Sequence, residues 1–134
     1  MISESERNQL VTAAVKARCN AYSPYSKFKV GAAVMANSGK IHAGCNVENA
    51  SYGLTICAER SAIFKAVSEG EIRLKALVLC LEGGGSPCGA CRQVIHEFGP
   101  GIPVLTCDPT GRILTETTLD QLLPEAFGPE DLGN

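Results

Sequence analysis

The apolar residues near the start of the chain recur with the period of an α-helix. They follow residues 3–6, which have the composition of a capping box, an arrangement that satisfies free N–H groups at a helix start. The stripe consists of Leu10, Val11, Ala14 and Val15. This pattern predicts an amphipathic helix that begins at the capping box and ends near Cys19.

Two later segments show the same helical period. The first begins at Cys57 and stops at Gly70. The second begins beside Cys88 and Cys91 and stops at Gly99. Each segment therefore predicts a helix with cysteine at or just before its first turn.

Five short runs have the composition of β-strands. They are residues 30–35, 41–45, 76–81, 104–107 and 113–115. The first two flank an Asn-Ser-Gly turn and predict a β-hairpin. The third is apolar along almost its whole length, which is expected for a strand covered by helices on both faces.

The order of these elements indicates an α/β fold. It predicts a three-layer α/β/α sandwich around one mixed five-stranded sheet, formed by a single domain over residues 1–134. Right-handed crossovers would bring the helix starts at Cys57 and Cys88 to one edge of the sheet. Binding sites of α/β proteins form at such an edge.

Composition restricts the range of functions. Hydrophobic residues make up 45% of the chain without a long apolar run, and residues 1–6 are polar and acidic, unlike a signal peptide. The formal net charge is −2, whereas proteins that bind nucleic acids usually carry clustered Lys and Arg residues. The charge therefore argues against a nucleic-acid partner. We expect a cytoplasmic protein with a small neutral substrate and neither a membrane nor a nucleic-acid partner.

The seven cysteines are an odd number, which argues against a disulfide framework in a chain of this length. Three of them lie at the predicted helix starts, where the helix dipole and free N–H groups favour thiolates. Three thiolates can bind one zinc ion and leave its fourth tetrahedral position open for water, as catalytic sites require. The candidate zinc ligands are Cys57, Cys88 and Cys91. The remaining four are expected in the core: Cys19, Cys45, Cys80 and Cys107.

The pair Cys88 and Cys91 by itself leaves two functions open. A C-x-x-C spacing is compatible with zinc binding or with thioredoxin-like redox chemistry. A redox pair would explain neither Cys57 nor the carboxylate of Glu59, two residues further on. The combination of three cysteines and one glutamate favours zinc.

Charged residues follow the cysteines directly. Glu59 is the expected general acid/base, because a carboxylate beside a zinc site can accept a proton from water and deliver it to a leaving group. Three thiolates and one Zn²⁺ carry a formal charge of −1, which weakens the acidifying effect of the ion. We expect Arg60 and Arg92 to donate hydrogen bonds to the thiolates and offset this charge.

Five segments together resemble the small, homotetrameric type of zinc-dependent cytidine deaminase. They are FKVGAA (28–33), NVENASY (46–52), CAER (57–60), PCGACRQ (87–93) and LLPEAF (122–127). The resemblance implies the cytidine deaminase fold and one zinc ion per subunit. It also implies hydrolytic deamination of free cytidine and deoxycytidine to uridine and deoxyuridine, with release of ammonia, in pyrimidine salvage.

The same resemblance implies how the nucleoside is bound. Phe28 would pack near it, and Ala58 would contribute backbone contacts. Asn46 and Glu48 would hydrogen-bond the ribose 3′-hydroxyl. This agrees with the alternation of side chains along an extended segment, which places these two polar residues on one face.

Three further residues would act between subunits. By resemblance, Ala50 and Tyr52 reach a neighbouring subunit's site, and Phe127 stacks on a base bound by another subunit. The tail from about residue 124 would then contribute to an active site that needs the homotetramer.

Two alternatives differ from this interpretation in substrate or in class. A deaminase of a modified cytosine nucleoside such as blasticidin S would share the zinc motif, although Asn46 and Glu48 suit a plain ribose. A non-catalytic, zinc-stabilised interaction module would usually have four protein ligands. The glycine run at 83–85 is a departure from the family, whose members more usually have bulkier residues there.

Overall fold

The computed structural model describes residues 2–134 and contains one mixed sheet of five strands. The strands are β1 (Val30–Ala36), β2 (Ile41–Cys45), β3 (Leu74–Leu81), β4 (Pro103–Cys107) and β5 (Ile113–Thr118). The helices are α1 (Glu4–Arg18), α2 (Ala58–Ser68), α3 (Gly89–Phe98) and the short α4 (Leu119–Leu122). Within residues 2–134, no helix combines the length and apolar composition that crossing a lipid bilayer requires.

The strand order across the sheet is β2-β1-β3-β4-β5. β3 and β4 pair in parallel, and the other three neighbouring pairs are antiparallel. The predicted hairpin is formed by β1 and β2, with Ala33 opposite Ala43. β5 extends to Thr118, further than its sequence suggests, because it pairs with β4 as far as Pro103.

The sheet separates two hydrophobic layers. α1 packs on one face, where Leu10 and Ala14 join a cluster that includes Ala33 of β1. α2 and α3 cover the other face, where Ile63 and Ile95 join a cluster that includes Ala32 and Val34. Neighbouring residues of β1 thus face opposite layers. The predicted α/β/α sandwich with a mixed five-stranded sheet is confirmed.

α1 begins at the capping box that the sequence predicts. The hydroxyl oxygen of Ser3 accepts a hydrogen bond from the Glu6 N–H at 3.1 Å, and the Glu6 carboxylate accepts one from the Ser3 N–H at 3.0 Å. The helix ends at Arg18, and Cys19 is its C-cap. Both ends therefore lie where the sequence pattern indicates.

Two of the four cysteines expected in the core lie elsewhere. Cys80 and Cys107 are buried neighbours on β3 and β4. Cys19 is exposed because it caps α1 beyond the buried stripe of that helix. Cys45 is half-buried because it ends β2, an edge strand. The prediction of a core position is wrong for Cys19 and only partly met by Cys45.

Two glycines allow the helices to approach the sheet closely. A Cβ atom at Gly31 of β1 would collide with the carbonyl oxygen of Ala14 in α1. A Cβ atom at Gly44 of β2 would lie 2.6 Å from the backbone nitrogen of Ala62 in α2. Since backbone atoms cannot rotate away as a flexible side chain can, Gly44 sets the distance between the sheet and the helix that begins at Cys57.

We expect the Gly44→Ala substitution to lower the free energy of unfolding by about 1–3 kcal/mol, the usual cost of overpacking a well-packed core. The added methyl group must push α2 away from β2. Urea denaturation at matched protein concentration measures the change.

Gly53→Ala is the matched control, because a Cβ atom at Gly53 meets nothing within 4 Å. This variant should unfold at nearly the urea concentration of the unsubstituted protein. Equal stability of the two variants would show that α2 does not depend on the missing side chain at Gly44.

Candidate metal centre and active site

Three cysteine side chains converge where α2 and α3 begin. Cys57 is the N-cap residue of α2, Cys88 is the N-cap residue of α3, and Cys91 lies buried in the first turns of α3. The three Sγ atoms lie within 4.8 Å of one another, and those of Cys57 and Cys88 are 3.9 Å apart. Within residues 2–134, this is the only such group of three or more metal-ligating side chains.

The sheet topology explains this convergence. β2 and β3 both run antiparallel to β1, so they point in the same direction. α2 follows β2 and α3 follows β3 along the chain, so both helices begin beyond the carboxyl ends of their strands. The helix starts therefore meet at one edge of the sheet, as the sequence predicts.

The donor set fits a zinc ion. Tetrahedral coordination with Zn–S distances of about 2.3 Å separates two sulfur ligands by about 3.8 Å. The 3.9 Å between the Sγ atoms of Cys57 and Cys88 matches this separation. Three sulfur ligands also leave one of four tetrahedral positions for a non-protein ligand, which distinguishes the centre from a closed structural site.

Hydrogen bonds concentrate negative charge on Cys57. Contacts with Cys91, Arg60 and Cys88 lower the pKa of Cys57 to about 5. The neighbouring Cys57 and burial raise the pKa of Cys91. The guanidinium of Arg60 donates to Cys57 Sγ at 3.5 Å. Arg60 therefore contacts a cysteine sulfur, and its role in offsetting the charge of the site stays a prediction.

Glu59 is the second residue of α2 and is only 4% exposed. Burial raises the pKa of Glu59 to about 7, and the negative charge of Cys57 adds to this increase while Arg60 opposes it. A carboxyl group with a pKa near neutral pH can both accept and donate a proton during one reaction cycle. Its placement therefore suits general acid/base catalysis.

A cleft of about 210 Å³ opens beside these groups. Its polar lining consists of Asn46, Thr55, Cys57, Glu59, Ser86 and Cys88, and Ala58, Val30 and Leu79 are among its apolar lining residues. Cys91 is buried outside this lining. A small molecule in the cleft would therefore contact Glu59 and two of the three candidate ligands.

A second cleft of about 370 Å³ shares the side chain of Thr55 with the first. It is lined by Tyr25, Ser26, Glu48, Tyr52 and Thr55. The rings of Tyr25 and Tyr52 lie 5.8 Å apart between their centroids. The two clefts thus adjoin at Thr55, and the second of them includes two exposed tyrosines.

Asn46 and Glu48 both bind the backbone at or before the start of β1. The side-chain oxygen of Asn46 accepts a hydrogen bond from the Val30 N–H at 2.9 Å, and its amide group donates to the Phe28 carbonyl oxygen at 2.8 Å. Glu48 accepts hydrogen bonds from the backbone N–H of Tyr25 and from the backbone and hydroxyl of Ser26. These contacts are consistent with the prediction that Asn46 and Glu48 lie on the same face of an extended segment.

The structure gives Arg92 different partners from those expected. Its guanidinium donates to the carbonyl oxygens of Pro87 and Leu122 and to the hydroxyl of Ser86, at 2.7, 2.8 and 2.8 Å. The expectation that Arg92 donates to a thiolate is therefore incorrect for this chain. The side chain points along α3 to the loop before Cys88 and to α4, rather than to the sulfur atoms.

Four residues that the resemblance assigns to substrate contacts lie on the surface of the single chain. Phe28 and Ala50 are exposed, and neither lines the cleft beside Glu59. Tyr52 is 74% exposed and lines the second cleft, whereas Phe127 is 58% exposed in the tail. The roles of all four stay predictions, and those of Ala50, Tyr52 and Phe127 concern contacts between subunits.

Sequence reasoning missed Thr55, Ser26 and Ser86. Thr55 lines both clefts, Ser26 donates to Glu48, and Ser86 lines the cleft beside Cys88. Ser86 directly precedes the Pro-Cys pair of the motif, so proximity in sequence offered a signal for it. Serines and threonines in loops are too common for the other two to be recognised.

Comparisons with known proteins agree with this geometry. A model of the family described as the cytidine and deoxycytidylate deaminase zinc-binding region matches residues 4–106. The cytidine deaminase of Sporosarcina psychrophila is 54% identical over 127 residues, covering 92% of this chain and 93% of that protein. The cytidine deaminase of Halalkalibacterium halodurans is 44% identical over 131 residues, covering 96% and 99% of the two chains.

Solved structures give the same result. The crystal structure of cytidine deaminase from Burkholderia pseudomallei superposes with a TM-score of 0.84 at 45% identity, covering 94% of this chain and all of that one. That of the Mycobacterium tuberculosis cytidine deaminase has a TM-score of 0.77 at 45% identity, covering 90% and 96%. With its three convergent cysteines and a buried glutamate in the adjoining cleft, the chain belongs to the cytidine and deoxycytidylate deaminase family of zinc-binding hydrolases.

Proposed function

We propose that this chain deaminates free cytidine and deoxycytidine to uridine and deoxyuridine, within pyrimidine salvage in the cytoplasm. The observation that carries this proposal is the burial of Glu59 in a cleft beside Cys57 and Cys88. A single domain of residues 1–134 performs the chemistry, and the free nucleoside, rather than a nucleic acid, is the substrate.

Cys57, Cys88 and Cys91 hold one zinc ion per chain. When bound there, zinc supplies the Lewis acidity that makes water nucleophilic near neutral pH. Arg60 donates to Cys57 Sγ, and the N-terminal ends of α2 and α3 present their positive dipole ends to the same sulfurs. These groups reduce the excess negative charge of three thiolates.

Glu59 transfers the protons of the reaction. Its carboxylate takes one proton from the attacking water as oxygen bonds to carbon 4 of cytosine, and delivers that proton to ring nitrogen 3. It then moves the remaining hydroxyl proton to the amino group, so that the bond from carbon 4 to nitrogen breaks and ammonia leaves. The pKa of about 7 that burial gives Glu59 supports both directions of transfer.

Asn46 and Glu48 bind the ribose 3′-hydroxyl in this proposal. A carboxylate offers about four lone-pair sites, and the hydrogen bonds from Tyr25 and Ser26 use three of those on Glu48. One N–H of the Asn46 amide group remains after its bond to the Phe28 carbonyl oxygen. The hydroxyl thus finds one acceptor and one donor. The backbone of Ala58 contacts the nucleoside, and Phe28 packs near it.

The site is completed in a homotetramer. Contiguous exposed apolar groups on a single chain mark interaction surfaces, and Tyr25, Phe28, Tyr52 and Leu54 are all exposed near the second cleft. Ala50 and Tyr52 contribute to a neighbouring subunit's site. The tail from about residue 124 brings Phe127 to the base bound by another subunit.

Replacement of Glu59 by glutamine should lower kcat for cytidine at least about 100-fold, since the amide cannot accept and return a proton. The zinc content should remain that of the unsubstituted protein, because Glu59 is not a ligand. The decrease in cytidine absorbance gives kcat, and elemental analysis of the same preparation gives the zinc content.

Glu97→Gln, an exposed carboxylate on α3, provides the matched control and should leave kcat unchanged. Near-normal turnover by the Glu59 variant would exclude the proposed mechanism. Faster ammonia release from blasticidin S than from cytidine or deoxycytidine would instead favour the modified nucleoside as substrate.

The unsubstituted chain should contain one zinc ion, and Cys88→Ser should lose it, because a serine hydroxyl is a poor replacement for a thiolate ligand. Cys19→Ser is the control, since Cys19 is exposed at the end of α1. Elemental analysis after dialysis against a chelator distinguishes the two variants. Equal zinc content in both would remove Cys88 from the ligand set.

Truncation of Phe127 to alanine should raise KM for cytidine and leave zinc content unchanged, because the proposed role of the ring is to stack on the base. Leu132→Ala is a control in the same tail, where Leu132 is also exposed. Light scattering establishes whether each variant is tetrameric. An unchanged KM in a tetrameric Phe127 variant would exclude Phe127 from the substrate site.

A further inference from the structure

Arg92 links two parts of the chain that the zinc motif does not connect. Its Nε atom donates to the carbonyl oxygen of Pro87, the residue directly before Cys88. One terminal nitrogen donates to the carbonyl oxygen of Leu122 at the end of α4, and the other donates to the Ser86 hydroxyl. One planar guanidinium thus connects the loop that presents Cys88 to the start of the C-terminal tail.

The loop before Cys88 has few other side-chain hydrogen bonds, although Pro87 itself is buried. Gly83, Gly84 and Gly85 all have positive φ, at 78°, 80° and 152°. Glycine provides no side chain to pack, and an unrestrained glycine run has high conformational entropy. Among residues 2–134, its other side-chain anchor is the Thr106 hydroxyl, which donates to the Gly85 carbonyl oxygen at 2.9 Å.

The neighbouring residue Gln93 offers an informative contrast. Its side-chain amide donates to the carbonyl oxygen of Phe127 at 2.8 Å. Gln93 therefore holds the tail alone, whereas Arg92 holds both the tail and the Cys88 loop. The two residues adjoin each other on α3, so substitution of either disturbs the same turn of helix.

We propose that Arg92 is a positioning residue that holds both the Cys88 loop and the start of the C-terminal tail, so that retention of the metal and order of the tail each depend on its guanidinium. This inference rests on the proposed function, because it assumes that Cys88 is a zinc ligand. The geometry of arginine is essential to it. Lysine has one nitrogen on a flexible stem and cannot reach three separated acceptors in one plane.

The test compares Arg92→Lys and Gln93→Ala with the unsubstituted, zinc-loaded protein. Two quantities are measured: the rate of zinc transfer to a chromogenic chelator, and hydrogen exchange of the backbone amides over residues 119–128. Arg92→Lys should release zinc at least about 10-fold faster, as loss of a group that orients a ligand commonly does, and should also speed amide exchange in the tail. Gln93→Ala should speed the exchange alone.

Arg73→Lys is the control, because Arg73 is exposed and lies far from the cleft. It directly precedes the first residue of β3, and the cleft lies at the opposite end of that strand, beside Leu81. It should change neither quantity. Should Arg92→Lys fail to fold, Ser86→Ala tests the loop contact by itself. That variant should release zinc about 2- to 10-fold faster, the equivalent of one hydrogen bond.

Three results would overturn the inference. The first is that the Arg92 variant, or the Ser86 variant used in its place, releases zinc at the rate of the unsubstituted protein. The second is that amide exchange in the tail of the Arg92 variant is unchanged, and the third is that the Gln93 variant releases zinc as fast as the Arg92 variant. An unsubstituted protein that holds no zinc and releases no ammonia from cytidine would contradict the proposed function instead. Its tail exchange would still report whether Arg92 holds the tail.

Discussion

The crowding of three cysteine sulfurs at two helix starts is the constraint on which the rest of the site depends. Atoms within 4.8 Å of one another cannot all be ionised without compensation by positive charge. The chain supplies this compensation from the N-terminal ends of α2 and α3 and from Arg60. A bound zinc ion would add the remaining positive charge. The arrangement therefore fits a metal better than it fits three free thiols.

The same charge also governs the residue that moves protons. Burial raises the pKa of Glu59, and ionised Cys57 adds to the increase. The pKa of Glu59 is therefore about 7 because of its buried position on α2, two residues after Cys57, which caps that helix. Gly44 allows α2 to lie close enough to the sheet for this placement.

Sequence periodicity was sufficient for the architecture. The apolar stripes and the capping box predict α1, α2 and α3, and strand-like composition and turn residues predict the five strands. The full extent of β5 required knowledge of its pairing with β4, and the exposure of Cys19 required knowledge of where α1 ends relative to its buried stripe. Periodicity describes one element at a time, so it cannot report contacts that arise only between elements.

The candidate site divides in the same way. Motif spacing, together with the resemblance to a known family, predicted that Cys57, Cys88, Cys91 and Glu59 belong together, and ligand chemistry explains why these residue types suit one zinc site. Only the tertiary structure decided what Arg92 does: the sequence placed it beside a cysteine, but its guanidinium reaches Pro87 and Leu122 instead of a sulfur. The physical reason is that a long side chain can reach several acceptors, and the acceptor it meets depends on segments that folding brings near it. Leu122 lies 30 positions further along the chain, so only the fold could bring it into hydrogen-bonding distance.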